Sequence, residues 1–554
     1  MLVAILLIAV AVFIAAFVLN GRFLAKRYEL DDSRPTPSHA EYDGIDRVPA
    51  PKAVLLGHHF SSIAGAAPIV GPILAGIAFG WGPVILWIVF GTIFIGGVID
   101  FSALTASIRH NGRSIAEIAR QYMSPLAYKL LLVFIWLSLV YVLTVFADLT
   151  ATTFIENGGV ATSSLIYIGL AIVFGLSIYK FKIPLLWASL IFVPLVFFTV
   201  WLGQQIPVSQ SLIPTFLTGD PKKTWAIILI VYCFIASITP VWVLLQPRDY
   251  LSSFLLYASV LTGFLGILIG GFSINYPAFK TWNAVGTGTL FPILFITVAC
   301  GACSGFHSIV ASGTTSKQLN KETDGVLIAY GGMILEGIVA VIALATVIML
   351  KQDDALTKET QLNIYGNGIA KFMSVLGFPE EIGSSFGLLA LSAFILTTLD
   401  TATRLGRYIF EELFNLKGRN SRIIATIATL VLPTIFVLMN LKNAKGEIIP
   451  AWKAIWPVFG ASNQLLAGLV ALVIAVWLHK TKRKFGFIVI PVVFLNVVTI
   501  WAIVLLLKQY KFSTIGIIAG ILLLLALILI VETFRTFKRM YQQVQENLAA
   551  ESSE

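Results

Sequence analysis

The chain has 554 residues, of which 58% are hydrophobic and only 12% are charged, whereas soluble globular domains carry about 25% charged residues. This composition excludes a water-soluble globular protein. The formal net charge of +10 would suit a nucleic-acid partner, but the Lys and Arg residues concentrate in short loops between apolar segments. That distribution is typical of a membrane protein and argues against nucleic acid.

Apolar segments of about 20 residues recur from the first residue almost to the last, and such a segment is long enough to cross a bilayer as an α-helix. The polar stretches between them are too short to form a separate globular domain. We predict an all-α membrane bundle of about fifteen transmembrane helices, at residues 1–19, 55–78, 82–108, 128–151, 163–179, 183–202, 225–245, 254–274, 290–312, 326–350, 384–403, 423–439, 459–478, 485–507 and 515–531.

The first segment lacks a basic start and a small-residue cleavage site, so it is predicted to be a retained helix and not a signal peptide. With the N-terminus outside, more than two thirds of the 38 Lys and Arg residues fall on the cytoplasmic side. The sequence therefore predicts a multi-pass protein of the cytoplasmic membrane, surrounded by lipid. The tail at residues 533–554 is predicted to be cytoplasmic, and the oligomeric state stays open.

Two predicted spans contain residues that interrupt helices. The second span has glycines and prolines within residues 57–72, and the seventh contains Ala236-Ser237-Ile238-Thr239-Pro240-Val241. These spans are five helices apart and run in opposite directions, which is typical of inverted-repeat carriers whose substrate site lies at the two breaks. Two proline kinks without a cavity are the alternative.

The spacing of the two interrupted spans predicts a ten-helix core at residues 47–416. One repeat would occupy about residues 55–203 and the other about residues 225–416. One additional transmembrane helix, within residues 1–20, would precede this core, and four additional helices, within residues 421–532, would follow it.

Polar side chains within the predicted spans are candidates for a substrate- or ion-binding site, because a charged group inside a bilayer costs about 2.5–3.5 kcal/mol unless it has a partner or a wet cavity. Asp148 and Glu336 are acidic residues that could be partners of histidines. A packing role with satisfied hydrogen bonds is the alternative for each histidine. The binding candidates are His58, His59, Ser61, Ser62, Asp100, Thr239, Ser304, His307, Ser308, Ser312 and Thr315.

The coupling ion stays open between a proton and Na⁺. The hydroxyls of Ser308, Ser312 and Thr315, together with carbonyls freed in the second span, would supply the oxygen ligands that Na⁺ needs. The three candidate histidines would suit a proton, because the ordinary pKa of histidine lies near neutrality. No other cofactor and no metal site is predicted.

Charged residues near the inner ends of two spans are candidates for a cytoplasmic gate. Asp400 and Arg404 are one helical turn apart and can therefore pair. Arg248 likewise lies near the inner end of its helix, just before the predicted eighth span, and Asp249 is its neighbour. A structural ion pair that anchors the helix end is the alternative to a gate.

Motifs of soluble enzymes are absent from the sequence, which contains neither a G-x-x-x-x-G-K-[ST] phosphate loop nor an H-E-x-x-H pair. Cys300 and Cys303 have the spacing of a redox or metal pair, but within an apolar helix such small side chains are more typical of helix packing. We predict no enzymatic activity.

Several long strings of unusual residues occur in a fixed order along the chain. They are Gly57-His58-His59-Phe60, Pro240-Val241-Trp242-Val243-Leu244-Leu245-Gln246-Pro247-Arg248-Asp249-Tyr250, Gly305-Phe306-His307-Ser308, Leu399-Asp400-Thr401-Ala402-Thr403-Arg404 and Phe459-Gly460-Ala461-Ser462-Asn463-Gln464-Leu465. In these strings the chain resembles the carbon starvation protein CstA family. The resemblance implies a bacterial inner-membrane protein that takes up peptides or pyruvate during nutrient limitation, driven by an ion gradient. It also implies the LeuT-like core of two inverted five-helix repeats found in amino acid, polyamine and organocation carriers.

The function that best fits these observations is a secondary active transporter, a symporter for a small carboxylate nutrient, with half-helix N-termini attracting the carboxylate. A membrane nutrient sensor that signals through a partner is an alternative, although the sequence has no appended signalling domain. A channel is a further alternative, but the sequence lacks a repeated charged or carbonyl filter.

Overall fold

The structure, a computed structural model, describes residues 2–215, 218–418, 420–441 and 447–551. Helices make up most of the described chain, and one small antiparallel hairpin is formed by β1 (Asn283–Ala284) and β2 (Gly288–Thr289). The helices up to this hairpin are α1 (Leu2–Tyr28), α2 (Pro37–Ala40), α3 (Lys52–Ile63), α4 (Ala67–Phe79), α5 (Trp81–Gly91), α6 (Gly97–Ile108), α7 (Ile115–Tyr122), α8 (Pro125–Glu156), α9 (Gly158–Tyr179), α10 (Leu185–Gln205), α11 (Pro221–Ile238) and α12 (Leu245–Ile269).

After the hairpin the described part of the chain consists mainly of helices. A π-helical turn at Thr92–Gly96 joins α5 to α6, and another at Val326–Gly331 leads into α15, so each forms one continuous span with its neighbours. The remaining helices are α13 (Leu290–Thr297), α14 (Gly305–Gly313), α15 (Gly332–Ile348), α16 (Gln361–Ser374), α17 (Glu380–Leu413), α18 (Ser421–Leu438), α19 (Ala451–Lys480), α20 (Gly486–Tyr510) and α21 (Thr514–Glu551).

The predicted all-α membrane bundle is confirmed. Among the described residues, 13 helices are long and apolar enough to cross a membrane, or 14 when the bent pair α3–α4 is one span. Each predicted segment coincides with one of these spans except residues 290–312, which form the two short helices α13 and α14. The count of about fifteen therefore stays a prediction for that segment. We call the end of the bundle at which α1 finishes the basic end.

The second predicted span is broken, as its glycines and prolines indicate. Helix α3 ends at Ile63, helix α4 begins at Ala67, and the two helices are bent by 41° relative to each other. Pro68 lies in the first turn of α4, where backbone N–H groups have no partner within the helix, so its missing N–H costs no hydrogen bond. Residues 64–66 therefore present unwound backbone in the interior of the bundle.

The other break lies in the ninth predicted span, and the prediction of a broken seventh span is wrong. The residue before a proline disfavours helical backbone, so Thr239 takes an extended conformation and α11 ends at Ile238. The next helix, α12, starts at Leu245, which places Ala236–Val241 at a helix end and not inside a span. Residues 298–304, which contain Cys300 and Cys303, instead separate α13 from α14.

The two broken spans run antiparallel and touch each other. A Cβ atom built on Gly71 of α4 would lie 2.5 Å from the carbonyl oxygen of Thr297, at the end of α13. A Cβ atom on Gly301, inside the second break, would lie 3.1 Å from Ala340 Cβ and 3.6 Å from Pro68 Cα. The two broken spans can approach this closely because glycine has no side chain at either position.

Gly71→Ala is expected to reduce the stability of the protein by about 1–3 kcal/mol, because the added methyl group overpacks the contact between the two broken spans. Thermal unfolding of the detergent-purified protein measures this change. Gly169→Ala is the matched control, since a Cβ atom there meets nothing within 4 Å and alanine is the better helix former. Equal melting temperatures for the two variants would contradict the contact.

The helix contacts in the first half of the bundle are repeated in the second half. The contact of α3 with α12 corresponds to that of α13 with α19, and the contact of α8 with α11 corresponds to that of α17 with α18. Likewise α4 packs on α15 as α14 packs on α6, and the two long helices α8 and α17 pack on each other. The segment from α3 to α12 therefore matches the segment from α13 to α19 in its contacts, with α9 and α10 paired together as an additional hairpin in the first segment.

Candidate substrate and ion-coupling site

A buried network of charged groups lies beside α3 on the basic-end side of the first break. His58 Nδ1 is 2.6 Å from Asp249 Oδ2, and Arg248 Nη2 donates to Asp249 Oδ1 at 2.8 Å. Arg248 Nη1 contacts Asp400 Oδ2 directly, and Tyr232 Oη donates to the same carboxylate oxygen at 2.8 Å. We call these five residues the arginine network.

The arginine network places one guanidinium between two carboxylates. His58, Arg248, Asp249 and Asp400 are all fully buried, at 0–1% exposure, so water does not screen their charges. With both carboxylates ionised, the network carries one net negative charge when His58 is neutral and none when His58 is protonated. A proton on His58 would therefore remove an uncompensated charge from the interior.

Asp400 pairs with Arg248 and not with Arg404, so the expected one-turn ion pair is wrong. Arg404 points toward the basic end, where its Nη1 is 3.1 Å from Asp46 Oδ1. Its Nη2 donates to the carbonyl oxygen of Ala236 at 2.8 Å, and this contact holds it away from Asp400. Spacing along one helix allowed the pair, but residues remote in sequence supply better partners for both side chains.

A second buried cluster contains the other candidate histidines. His59 Nε2 is 3.1 Å from Asp100 Oδ2, while His59 Nδ1 is 2.9 Å from Thr315 Oγ1. His307 Nδ1 is 3.3 Å from Glu336 Oε2. We call His59, Asp100, His307 and Glu336 the histidine–carboxylate cluster; its members come from α3, α6, α14 and α15 and are 0–1% exposed.

Several polar atoms of the histidine–carboxylate cluster have no hydrogen-bond partner within the described part of the chain. They are Asp100 Oδ1, His307 Nε2 and both carboxylate oxygens of Glu336, of which Oε2 has only the ion-pair contact with His307 Nδ1. A buried polar atom without a partner costs about 1–3 kcal/mol, and such atoms in proteins normally bind water, an ion or a proton. The cluster therefore has the chemistry of a site that takes up and releases a small ligand.

The candidate hydroxyls at the first break contact helices α12 and α17. Ser61 Oγ donates to the carbonyl oxygen of Asp249 at 3.2 Å. Ser62 Oγ lies 3.1 Å from Thr401 Oγ1, and the carbonyl oxygen of Ser62 accepts from Thr398 Oγ1 at 3.1 Å. These bonds satisfy backbone and side-chain groups that the unwound segment exposes.

The candidate hydroxyls on the second broken span do not converge on one point. Ser312 Oγ donates to the carbonyl oxygen of Ser308 within α14 at 2.8 Å, while Thr315 is engaged with His59. Ser308 Oγ is buried and has no partner among the described residues. Thr239 donates to Ile235 of its own helix at 2.7 Å and lies outside both clusters, because α11 ends there.

Two side-chain amides on α19 lie at the second break, and neither was predicted from the sequence as a binding candidate. Asn463 Oδ1 accepts from Ser304 Oγ at 3.1 Å and from the backbone N–H of Phe306 at 2.8 Å. Asn463 Nδ2 is 2.8 Å from Cys300 Sγ. The neighbouring Gln464 is fully buried, and neither of its side-chain polar atoms has a partner in the described ranges. Adjacent amides within an apolar span are a signal that could have identified them.

Asp46, Arg404 and Arg407 form a contact that we call the latch at the basic end. Arg407 Nη2 is 3.6 Å from Asp46 Oδ2, and Arg407 Nη1 donates to the carbonyl oxygen of Ser237 at 3.0 Å. Burial alone would raise the pKa of Asp46, but the charges of Arg404, Arg407 and Lys317 together lower it. The latch stabilises the protein above the ordinary carboxyl pKa of 3.8 and loses this contribution only as the pH falls through the lowered value.

A polar cavity of about 380 Å³ adjoins the latch at the basic end. Ser312 of α14 and Tyr408 of α17 line it together with Arg113, Lys317 and Glu412. Helix α14 carries His307 little more than one turn before Ser312, so this cavity leads toward the histidine–carboxylate cluster.

At the opposite end, a smaller pocket of about 170 Å³ lies between α13 and α19. Asp148, which was predicted from the sequence as a possible partner of the histidines, lies at this end instead. Its Oδ1 is 2.9 Å from Lys222 Nζ, and its Oδ2 accepts from the backbone N–H of Trp452 at 3.0 Å. Asp148 therefore joins α8 to α11 and α19, remote from both clusters.

Asp46→Asn is expected to increase several-fold the rate at which a small maleimide labels Cys300 and Cys303, because two buried arginines lose their charged partner and the basic end opens more often. The measurement is labelling of protein reconstituted in liposomes. Asp43→Asn in the same loop, whose carboxylate binds only backbone N–H groups of its own turn, is the control. Unchanged labelling in Asp46→Asn would exclude a gating role for the latch.

A membrane bundle with two broken antiparallel helices, and with ionisable side chains buried between them, has the architecture of a secondary transporter. The sequence comparison agrees with this class. The family described as "Carbon starvation protein CstA" matches residues 1–359 and 351–502. The chain therefore belongs to the carbon starvation protein CstA family, and the resemblance found in its motifs is confirmed.

Curated relatives share about a third of their residues with this chain. The "Peptide transporter CstA" of Bacillus subtilis (strain 168) is 32% identical over 596 residues, covering 98% of this chain and 98% of the relative. The "Pyruvate/proton symporter BtsT" of Escherichia coli (strain K12) is 30% identical over 578 residues, covering 89% of this chain and 80% of the relative.

The fold is also that of a solved transporter. The crystal structure of MhsT in complex with L-phenylalanine superposes with a TM-score of 0.50 at 13% sequence identity, covering 88% of this chain and 99% of that one. At this identity the likeness concerns the fold alone. It confirms the LeuT-like class predicted for the bundle.

Proposed function

We propose that the protein is a proton-coupled symporter that takes up a small carboxylate nutrient, a peptide or pyruvate, across the bacterial cytoplasmic membrane during carbon starvation, without chemical change of the substrate. The names of its relatives support a transported peptide or pyruvate. The observation that carries the proposal is the histidine–carboxylate cluster, whose buried atoms lack partners among the described residues.

Coupling to a proton fits this site better than coupling to Na⁺. A sodium site needs several oxygen ligands around one point, whereas Ser312 bonds within its own helix and Thr315 bonds His59. Two histidines and two carboxylates are groups that bind and release protons. His58 and His59 are neighbours on α3, so a movement of this half-helix would alter the arginine network and the histidine–carboxylate cluster together.

In this proposal the substrate carboxylate binds between the two breaks. Helices α4 and α14 both begin there, and their N-termini carry partial positive charge. Ser308 Oγ and the side-chain amide of Gln464 are buried donors near the second break that have no partner in the described ranges. They would hydrogen-bond the substrate, which in turn would satisfy them.

The basic end is assigned to the cytoplasm by the positive-inside rule, with the N-terminus outside. The matching contacts support one repeat from α3 to α12 and another from α13 to α19, in place of the boundaries expected from the sequence. Helices α9 and α10 are then an insertion in the first repeat, and the short α16 connects two spans of the second.

Uptake into liposomes tests the proposal. Purified protein is expected to accumulate radiolabelled pyruvate or a dipeptide when the exterior is acidic, and to lose this accumulation when a protonophore collapses the gradient. An inward Na⁺ gradient at equal internal and external pH serves as the control and is expected to drive no accumulation. Accumulation driven by Na⁺ alone would reject proton coupling, and no uptake of either substrate would reject the substrate class.

A further inference from the structure

Two connected hollows lie on the outer surface of the bundle, at the side of α1. The first is an apolar groove of about 330 Å³ between α1, the α5–α6 span and α20. Phe23, Phe94, Val98 and Phe487 contribute to its walls. Phe487 stands in the first turn of α20, so the groove opens at the basic end and continues into the membrane-spanning part of the bundle.

The second hollow has about 510 Å³ and lies at the basic end directly beside the groove. Phe23 lines both hollows, so they form one continuous surface. The other residues of this second hollow are Lys26, Arg27, Glu29, Lys482, Arg483 and Lys484. Five cations therefore surround one carboxylate.

Most of this positive charge is uncompensated. Arg483 Nη2 pairs with Glu29 Oε2 at 3.0 Å, and the Arg27 guanidinium lies 5.0 Å from the centre of the Phe23 ring. The lysines of the hollow have no ion pair within the described part of the chain. They come from two separate segments, the end of α1 and the loop between α19 and α20, which the fold brings together.

We propose that this surface is a binding site for an anionic glycerophospholipid, with the phosphate in the basic hollow and an acyl chain in the apolar groove. A basic pocket between transmembrane helices at the cytoplasmic interface has the charge that anionic headgroups require. Along the α5–α6 span the groove extends from Val98 to Phe90, a length of about 12 Å. An acyl chain crosses about half of a hydrocarbon core of ~30 Å, so the groove covers most of the length of one chain.

Lipid titration of the full-length protein in neutral detergent tests this site. Native mass spectrometry and thermal unfolding would compare phosphatidylglycerol with phosphatidylcholine of the same acyl chains, and inorganic phosphate would form a separate arm. Phosphatidylglycerol is expected to bind at least tenfold more tightly than phosphatidylcholine and to raise the melting temperature. Equal binding of the two lipids overturns the proposal, and an equal effect of phosphate reduces it to a site for free anions.

The variant Lys26→Gln/Lys482→Gln/Lys484→Gln is expected to lose at least tenfold in affinity for phosphatidylglycerol, because all of these exposed side chains line the basic hollow. The control Arg120→Gln/Lys180→Gln/Lys182→Gln removes the same number of exposed cations from α7 and from the loop between α9 and α10, also at the basic end, and is expected to bind normally. Equal loss in both variants, or no loss in the first, overturns the assignment to this hollow.

A groove variant tests the acyl-chain part separately. Val98→Phe retains every cation and fills the apolar groove, so it is expected to reduce the selective binding of phosphatidylglycerol at least tenfold. Unchanged affinity in this variant overturns the placement of an acyl chain there. This variant therefore still tests the lipid site if the triple lysine variant cannot be purified.

Discussion

Glu336→Gln is expected to abolish proton-driven accumulation, with at least a tenfold loss, while exchange of labelled for unlabelled substrate continues. The amide has nearly the shape of the carboxylate but can neither bind nor release a proton. Because the 3.3 Å contact with His307 Nδ1 is the sole polar contact of the Glu336 carboxylate among the described residues, replacing it with a neutral group is expected to leave the protein stable. Uptake and exchange measured on the same liposomes separate the two activities.

Glu532→Gln provides the control for this result. Glu532 pairs with Arg535 at 2.7 Å at the basic end, far from the histidine–carboxylate cluster, so its variant is expected to accumulate substrate normally. His307→Gln is expected to resemble Glu336→Gln, because His307 Nδ1 lies 3.3 Å from Glu336 Oε2. Full accumulation in the Glu336 variant would remove this carboxylate from the coupling mechanism, although the family assignment would stand.

Arg248→Gln is expected to prevent accumulation of folded protein, with a loss of about 3–5 kcal/mol, because it leaves the buried carboxylates of Asp249 and Asp400 without their cation. The triple variant Arg248→Gln/Asp249→Asn/Asp400→Asn removes all three charges and is expected to recover most of the lost stability. Size-exclusion chromatography of a fluorescent fusion during heating measures the folded fraction of each variant.

Arg120→Gln is the control for the arginine substitution. Arg120 has 61% of its side chain exposed and pairs with Glu117 at 3.4 Å, and exposed pairs of this kind contribute about 0–1 kcal/mol. If Arg248→Gln had the same melting temperature as the unchanged protein, Arg248 would not be the main counterion of Asp249 and Asp400. Failure of the triple variant to recover would mean that hydrogen bonds, and not charge balance, dominate the network.

The arginine network and the histidine–carboxylate cluster have different expected responses to substitution. In the first, one cation lies between two buried carboxylates, so the removal of that cation is expected to reduce stability. The second leaves atoms of Asp100, His307 and Glu336 without partners in the described chain, so neutral substitutions there are expected to affect coupling more than folding. We therefore expect a mainly structural role for the first group and ion exchange in the second.

Much of the membrane topology could be predicted from the sequence, because the transfer of a 20-residue apolar segment into lipid depends on that segment alone. The break in the second span was also predictable, since Gly65 and Pro68 weaken a continuous helix locally. The buried candidates His58, His59, Asp100 and His307 were identified for the same reason, because each charge stands out within an apolar segment.

The second break was not predictable from local signals. Pro240 is the stronger helix breaker, but it lies where α11 ends anyway. The unwound segment 298–304 is stabilised by contacts from elsewhere, including Asn463 on α19 and Thr92, whose Oγ1 donates to the carbonyl oxygen of Gly301 at 3.1 Å. Without these partners the same residues would suit a continuous helix.

The sequence by itself determined which segments enter the membrane, where one of them breaks and which polar side chains have to be buried, because hydropathy and backbone propensity act over a few neighbouring residues. Only the tertiary structure decided which buried charges are partners: it paired Asp400 with Arg248 and Arg404 with Asp46. The reason is physical. Electrostatic and hydrogen-bond partners are chosen by distance in space, and in these two pairs the partners come from segments far apart in the chain.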